Sequence, residues 1–377
     1  MKIGLVCPYN INKHGGVLEV ILALKTGLEE RGHKVKIITP SPRGHEADNA
    51  NKDMIFIGSS TDFHSPSHTT TQVSSTVDTE HIDEILGDEQ FDILHFHEPW
   101  VPLLSRQLLS RSTSVNVATF HSQVPETLMI RTLTKVVTPY LKSVMKYIDV
   151  LTAVSDSAAE YPAGMTDEPI TIIPNGIDLK KYNDAKKTKK TNEKTILFIG
   201  RLERRKGVKY LLQAFQLFEQ NNQNVKLLIA GDGPDREKLE ILAEDLKIKN
   251  IQFLGYISEE FKLELLQTSD LLVSPAIYGE SFGIVLLEAM ATGTVSIGGN
   301  NSGYIGLMQG IGELSIVNTQ DIDEFARRLN LLVNEDQLRE IWQKWAKSYI
   351  KQFSYPQVIS QYEELYKEAL HQYGNKH

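Results

Sequence analysis

Gly279-Glu280-Ser281-Phe282-Gly283-Ile284-Val285-Leu286-Leu287-Glu288-Ala289-Met290-Ala291-Thr292-Gly293 says more about this chain than any other stretch. Between Ser281 and Thr294 the only charge is Glu288, and no polar face emerges at helical spacing. The segment therefore predicts a helix buried nearly all round. Apolar runs on either side, Leu271–Ser274 and Thr294–Ile297, read as strands. A buried helix between two strands is the crossover unit of a parallel sheet. The helix carries one carboxylate, and a second, Glu280, stands eight residues earlier. Burying a carboxylate costs several kcal/mol unless it is hydrogen-bonded, so either a protein donor or a pair of ligand hydroxyls must answer Glu288. Gly279 and Gly283 let backbone approach a ligand, and a helix start offers free N–H groups to an anion. Carboxylates for hydroxyls and a helix start for phosphate together describe a nucleotide-sugar pocket.

Outward from this unit, β-rich runs alternate with helical patterns along the whole chain. Lys2–Cys7, Lys34–Thr39, Met54–Ile57, Ile93–Phe96, Val115–Phe120, Val150–Val154 and Thr171–Ile173 form one series of strands. Thr195–Ile199, Lys226–Ala230, Ile251–Leu254, Leu271–Ser274, Thr294–Ile297 and Leu314–Val317 form a second. Each series opens on a strand followed by a glycine-marked loop. The expected architecture is α/β: two doubly wound, Rossmann-like domains facing each other across a cleft, with ligands at the C-terminal ends of strands. The 377 residues suit two domains. Their expected limits are 1–174, a polar linker at 175–194 opened by the turn Pro174-Asn175-Gly176, and 195–355. The tail after Pro356 is helical in pattern with one apolar face, and a helix over 356–377 is expected to pack back on the first domain. Gly58–Thr79, rich in Ser, Thr and His, reads as a loop region.

Composition narrows the function classes. The chain is 41% hydrophobic and 23% charged, with a net charge of −8, which argues against bulk nucleic-acid binding. The acid excess lies mostly in the first 174 residues, where 14 Lys and Arg face 21 Asp and Glu. The single cysteine, Cys7, sits in an apolar first strand and reads as a buried thiol, which suits a reducing cytoplasm. No apolar run reaches the ~18 residues of a membrane span. A start directly on a strand gives no sign of a signal peptide.

Several segments carry candidate chemistry. Gly15-Gly16-Val17 lies between strand and helix, where phosphate or sugar can meet backbone N–H groups, although many such turns bind nothing. It is not the GxGxxG dinucleotide fingerprint, which disfavours a dehydrogenase. Arg201-Leu202-Glu203-Arg204-Arg205-Lys206-Gly207 sets cations at a strand end, where they can neutralise a diphosphate or simply form a solvated loop. Gly231-Asp232-Gly233-Pro234 ends another strand with the same logic. His95-Phe96-His97-Glu98-Pro99 suggests a metal, but no third ligand stands at metal spacing, so structural or acceptor-side hydrogen bonding is the expectation. Asp321-Ile322-Asp323 looks like a metal-carrying DxD and is better explained as a helix cap. His121 ends a strand and points where a cleft is expected, as either a structural or a catalytic histidine.

Taken together, these segments resemble the family 4 retaining glycosyltransferases of the GT-B fold, most of all the bacterial phosphatidylinositol mannosyltransferase group. The likeness rests on Gly4–Tyr9 with Gly15–Val17, His95–Pro99, Ala118–His121, Pro174–Gly176 and above all Gly279–Gly293, and it spans the chain. The resemblance implies catalytic roles for His121, Glu280, Arg201 and Lys206. Glu280 would hold donor-sugar hydroxyls and Glu288 the ribose. Arg201 and Lys206 would grip the diphosphate, and His121 would face the sugar near the reacting carbon. Gly16, Gly231 and the backbone of Phe282, Gly283, Ile284 and Val285 would line the donor, with Tyr256 and Ile257 bordering the base. It further implies same-face attack without a protein nucleophile. The donor would be a nucleoside-diphosphate sugar, GDP-mannose or a UDP-hexose, with no cofactor and no catalytic metal. The acceptor would be a lipid or glycan. A soluble transferase making a small-molecule glycoside and a non-catalytic sugar-nucleotide binder are the rivals.

One feature stands outside that resemblance. Thr127–Ile148 contains Arg131, Lys135, Lys142 and Lys146 and no acid, and at helical spacing the four share one narrow arc. Pro139 should kink or split the helix. The stripe fits docking on anionic lipid or an acidic acceptor, and equally a solvated face. The expected location is cytoplasmic, with peripheral binding at the inner membrane face.

Overall fold

The computed structural model describes residues 1–10, 15–41, 53–64, 70–74, 78–101, 103–123, 138–183 and 193–373. The chain divides into two compact units, Met1–Gly176 with Tyr355–His377, and Ile177–Ser354.

In the N-terminal unit, β1 (Lys2–Val6), α1 (Gly16–Glu30), β2 (Lys34–Ser41), β3 (Met54–His64), β4 (Thr70–Ser74), α2 (Thr79–Glu89) and β5 (Ile93–His97) come first. Then follow α3 (Leu104–Leu109), β6 (Val115–Phe120), α4 (residues 138–145), β7 (Val150–Ala153), α5 (Asp156–Ala163) and β8 (Ile170–Ile172). The strand order is β4-β3-β2-β1-β5-β6-β7-β8. Every pairing is parallel except that of β3 with β4. Order reverses between β1 and β5, and β5 and its neighbour β6 are buried throughout, as covering helices on both faces require.

The C-terminal unit runs through α6 (Leu179–Asn183), β9 (Lys194–Ile199), a 3-10 turn at Arg204–Lys206, α7 (Val208–Glu219), β10 (Val225–Ala230) and α8 (Arg236–Asp245). It continues with β11 (Ile251–Gly255), α9 (Glu259–Thr268), β12 (Leu271–Ser274), α10 (Ile284–Thr292), β13 (Val295–Gly299) and α11 (Ser302–Leu307). It closes with β14 (Ile316–Val317), α12 (Ile322–Asn334) and α13 (Asp336–Tyr349). Its all-parallel order, β11-β10-β9-β12-β13-β14, reverses between β9 and β12. Both units are thus doubly wound. α14 (Tyr355–Tyr373) returns to the first, where Val358, Ile359, Tyr362, Tyr366 and Ala369 join the core of β1, α1, β2 and β5.

The structure revises two sequence expectations about irregular segments. Gly58–Thr79 is not a loop throughout: β3 continues to His64 and pairs with β4, Ser60 opposite Ser74 and His64 opposite Thr70. A terminal hairpin is held by backbone hydrogen bonds, which Ser and Thr supply as well as apolar residues do, so hydrophobic pattern does not reveal it. The proposed linker opens with Ile177 bridged to Ser354 and then forms α6, while residues 184–192 lie outside the described residues. Asp321, by contrast, caps α12, its carboxylate accepting the Glu324 N–H at 3.0 Å. Cys7 is buried, and burial pushes its thiol up to about 11.

Candidate functional site

In the C-terminal unit the polar cluster lies at the carboxyl ends of β9 and β12, where strand order reverses and doubly wound sheets bind ligands. β9 ends in Gly200-Arg201, and the 3-10 turn then presents Arg205 and Lys206. Gly207 ends that turn in the left-handed region, at φ 71°, and a Cβ there would stand 2.1 Å from the Pro275 carbonyl oxygen. Only glycine lets the β9–α7 loop lie this close to the β12–α10 loop. Ile277 N–H donates to Arg205 O at 2.8 Å, and an Arg205 guanidinium nitrogen donates to Gly279 O at 3.0 Å.

Glu280 is the centre of the cluster. Its Oε1 accepts from Lys206 Nζ at 2.6 Å and from Arg205 at 2.7 Å, while Arg205 also donates to Glu203 at 2.7 Å. Arg201 reaches Glu203 at 3.7 Å and is the most exposed of these cations. Glu280 and Lys206 are mostly buried, at 13% and 17% side-chain exposure, so their pairing is screened less than a surface pair. Tyr304, fully buried, bonds Ser274 at 2.7 Å, and burial together with the nearby Glu280 charge keeps its phenol protonated. Arg205 and Tyr304 escaped the sequence reading. Arg205 was one of three consecutive cations, and only the 3-10 turn decides which two face Glu280.

Helix α10 is buried as expected, with Leu286, Leu287, Glu288, Ala289 and Met290 all enclosed. Its N-cap, Gly283, has φ 107° and contributes no side-chain cap to the first turn, which opens with Ile284 and Val285. Phe282 packs edge-on against Phe353 and serves the core. Of the two kinds of partner expected for Glu288, the structure supplies protein donors on one oxygen. Its Oε1 accepts from Tyr182 Oη at 2.9 Å and from Lys262 Nζ at 2.7 Å, so protein donors already answer the buried charge. Burial alone would lower the Lys262 ammonium, but Glu288 and Glu259 hold it above its ordinary value. Neither donor was legible, because both lie far from Glu288 in sequence.

Gly231, expected to line the donor, has its side-chain direction filled: a Cβ would stand 1.9 Å from Gly200 O, and its N–H donates to Gly255 O at 2.8 Å. These contacts pack the ends of β9, β10 and β11 closely together. Tyr256 projects from the end of β11 at 86% exposure, beside Ile257.

In the N-terminal unit, β5 and β6 carry a buried polar ladder. His95 Nδ1 and Nε2 lie 2.7 Å from Tyr366 Oη and 2.6 Å from Thr119 Oγ1, and Thr119 also meets Thr152 and Tyr362. His97 Nδ1 is 2.8 Å from His121 Nε2. Burial holds His121 down to about 3, although Asn175 favours its charged form, and His95 also falls to about 3. Both rings are therefore neutral at pH 7. Glu98 bonds the main chain of His121. Gly16 begins α1. Lys142 on α4 and Lys146, just past its end, are exposed while Leu141 and Val144 are buried; Arg131 and Lys135 lie outside the described residues. Among the described residues, no helix is long and apolar enough to cross a membrane, and no group of three or more His, Cys, Asp or Glu is placed to hold a metal ion.

Comparison with known proteins adds to this geometry. Residues 14–181 match the model of Glycosyltransferase Family 4, and residues 180–349 that of Glycosyl transferases group 1. The chain is 30% identical to a phosphatidyl-myo-inositol mannosyltransferase of Mycobacterium leprae, covering 97% of this chain and 96% of the relative. It is 28% identical to an N-acetyl-alpha-D-glucosaminyl L-malate synthase of Bacillus anthracis, covering 98% and 97%. Among solved structures, a glycosyltransferase from Rickettsia africae superposes with a TM-score of 0.75 at 19% identity, over 98% of each chain. Anabaena Alr3699/HepE in complex with UDP and glucose superposes with a TM-score of 0.74 at 16% identity, over 98% of this chain and 100% of that one.

Proposed function

Because the chain belongs to the family 4 glycosyltransferases, we propose that it transfers a hexose, with retention, from a nucleoside-diphosphate sugar to a lipid or lipid-linked acceptor at the cytoplasmic membrane face. The observation that carries the donor half is the cluster of Glu280 with Lys206 and Arg205 at the β9–β12 reversal, next to the glycine-led start of α10.

The chemistry follows from charge. Breaking the bond between the sugar's anomeric carbon and the diphosphate oxygen leaves its electron pair on the diphosphate and positive charge on the sugar. Arg201, Arg205 and Lys206 stabilise the departing anion, with the Ile284 and Val285 N–H groups as further donors. In this reading Lys206 bridges the two needs: it contacts the carboxylate assigned to the sugar hydroxyls and would also meet the phosphate. Removing one such donor should cost about 3–4 kcal/mol of transition-state stabilisation. Glu288 receives Tyr182 and Lys262 on the same oxygen, Oε1, which orients the carboxylate so that Oε2 can accept from a ribose hydroxyl. Tyr256 offers an exposed ring for the base. His121, neutral at pH 7, contributes hydrogen bonding and shape to the sugar rather than charge.

Mannose as the sugar and an inositol lipid as the acceptor are supported by the mycobacterial relative at 30% identity. Exposed Lys142 and Lys146 suit an anionic surface. The Bacillus anthracis relative favours a second reading, in which the acceptor is a small soluble acid. Thermal-shift screening against GDP-, UDP- and ADP-sugars tests the donor. A ligand at 100 times its Kd should stabilise the protein by about 2.7 kcal/mol, and GDP-mannose should give the largest shift. No response to any nucleotide sugar sinks the reading. Transfer assayed with phosphatidylinositol vesicles against L-malate then separates the two acceptors.

A further inference from the structure

Glu98 occupies a costly position. It follows β5 with φ 53°, in the left-handed region that side chains other than glycine rarely adopt, and it is fully buried. Its N–H donates to Thr119 O at 2.9 Å, so its backbone is locked to β6. Its Oε1 accepts from the His121 N–H at 3.0 Å and from Ser122 Oγ at 2.6 Å. Among the described residues Oε2 is enclosed without a well-formed hydrogen bond, although the Trp100 side chain helps to favour the charged form. His97, also fully buried, lies against His121 from the other side. Their rings stack at 5.1 Å and 28°, with Nδ1 to Nε2 at 2.8 Å, and His97 Nε2 is enclosed without a partner among the described residues. A strained backbone, a buried carboxyl and two poorly served polar atoms all reduce stability. Such costs concentrate where function requires them, and here they surround one residue.

We propose that Glu98 and His97 are positioning residues for His121: the Glu98 carboxylate sets the 121–122 main chain, and His97 sets the orientation and tautomer of the imidazole. This rests on the reading of His121 as the residue that meets the sugar. The carboxylate is the stronger acceptor, because a charged group roughly doubles the strength of the bonds it receives. Titratable groups linked to it, directly or through the histidine cluster, are Tyr9 with Cys7 after β1, His95 and His97 on β5, His121 after β6, and Tyr362 and Tyr366 on α14, which reach His95. Burial keeps the histidines neutral and the thiol and phenols protonated, leaving Glu98 as the member of this group that ionises near neutrality. Burial pushes it up to about 7, against the bonds from Ser122 and His121. Turnover therefore rises with pH through about 7 as the carboxylate forms.

The test compares kcat, donor KM and pH profile in wild type, Glu98→Gln, Glu98→Ala and His97→Gln. Glu98→Ala and His97→Gln should lose about 10- to 100-fold in kcat, the scale of a misplaced reacting group, with donor KM nearly unchanged. Glu98→Gln, whose amide oxygen still accepts both bonds, should recover part of the loss and show no rise through pH 7. Wild-type kcat in Glu98→Ala, or a persisting limb in Glu98→Gln, overturns the proposal. Should Glu98→Ala fail to fold, His97→Gln and the Glu98→Gln profile decide it. A second measurement is independent of turnover: in protein labelled with ¹⁵N-histidine, the His121 amide should shift in Glu98→Gln and the imidazole nitrogens in His97→Gln. Unmoved His121 resonances refute the positioning roles. Failure to bind any nucleotide sugar, with those resonances still shifted, counts against the donor reading alone.

Discussion

At the scale of single residues, Glu288 and Glu280 show how this chain holds carboxylates among apolar neighbours. Each receives two donors on one oxygen, Lys262 and Tyr182 on Glu288, Lys206 and Arg205 on Glu280. Lys262 and Glu288 are both largely enclosed, at 16% and 9% side-chain exposure. Lys262→Met should therefore destabilise the C-terminal unit by on the order of 3 kcal/mol, because an uncompensated buried charge remains. Removing both partners in Lys262→Met with Glu288→Met should recover most of that loss. A double-mutant cycle by denaturant unfolding checks this, and equal losses in single and double variants would refute it. The need for a partner at Glu288 was legible from its apolar helix. Which partner was not, because α6 and α9 meet α10 only after the chain folds.

Among the secondary-structure elements, α14 does more than close the N-terminal core. Its Tyr366 Oη contacts His95 Nδ1 at 2.7 Å, and its Tyr362 Oη reaches Thr119 at 3.2 Å. Tyr366→Phe strands a buried imidazole nitrogen and should cost about 1–3 kcal/mol. Tyr362→Phe should cost less, since Thr119 keeps His95 and Thr152 as partners. Thermal unfolding of the two variants gives the order, and a reversed order would contradict the ladder. The apolar spacing of this helix marked a face for burial, and the fold sets that face in the core of the first unit. Its tyrosine hydroxyls carried no such signal, because a pattern of apolar positions says nothing about where a polar tip ends. The β3–β4 hairpin was missed for the converse reason: its pairing is made by backbone alone.

For the molecule as a whole, the two units should respond differently to acid. Three buried histidines of the N-terminal unit have pKa values far below 6.5, so the unfolded chain binds their protons first. The stability they contribute is present above about pH 6.5 and is lost as pH falls. Glu98 has the opposite sign, being raised from 4.5 to about 7, so its contribution is present at low pH and is lost as pH rises through that window. Between pH 6.5 and 4.5, three protons act against one, a net slope of about 2–3 kcal/mol per pH unit. Calorimetry across that range should show the N-terminal transition falling steeply, and a flat response would refute the buried neutral cluster. The doubly wound class of both units was readable from sequence because parallel strands buried on both faces must be apolar runs separated by helices. The EX₇E segment was readable because a lone charge in an apolar helix demands an explanation. Tertiary structure alone decided the pairings of Glu280 with Arg205 and Lys206, of Glu288 with Tyr182 and Lys262, and of Glu98 with His121. Those contacts join loops and helices far apart in the chain, and their distances depend on loop paths that residue spacing does not specify.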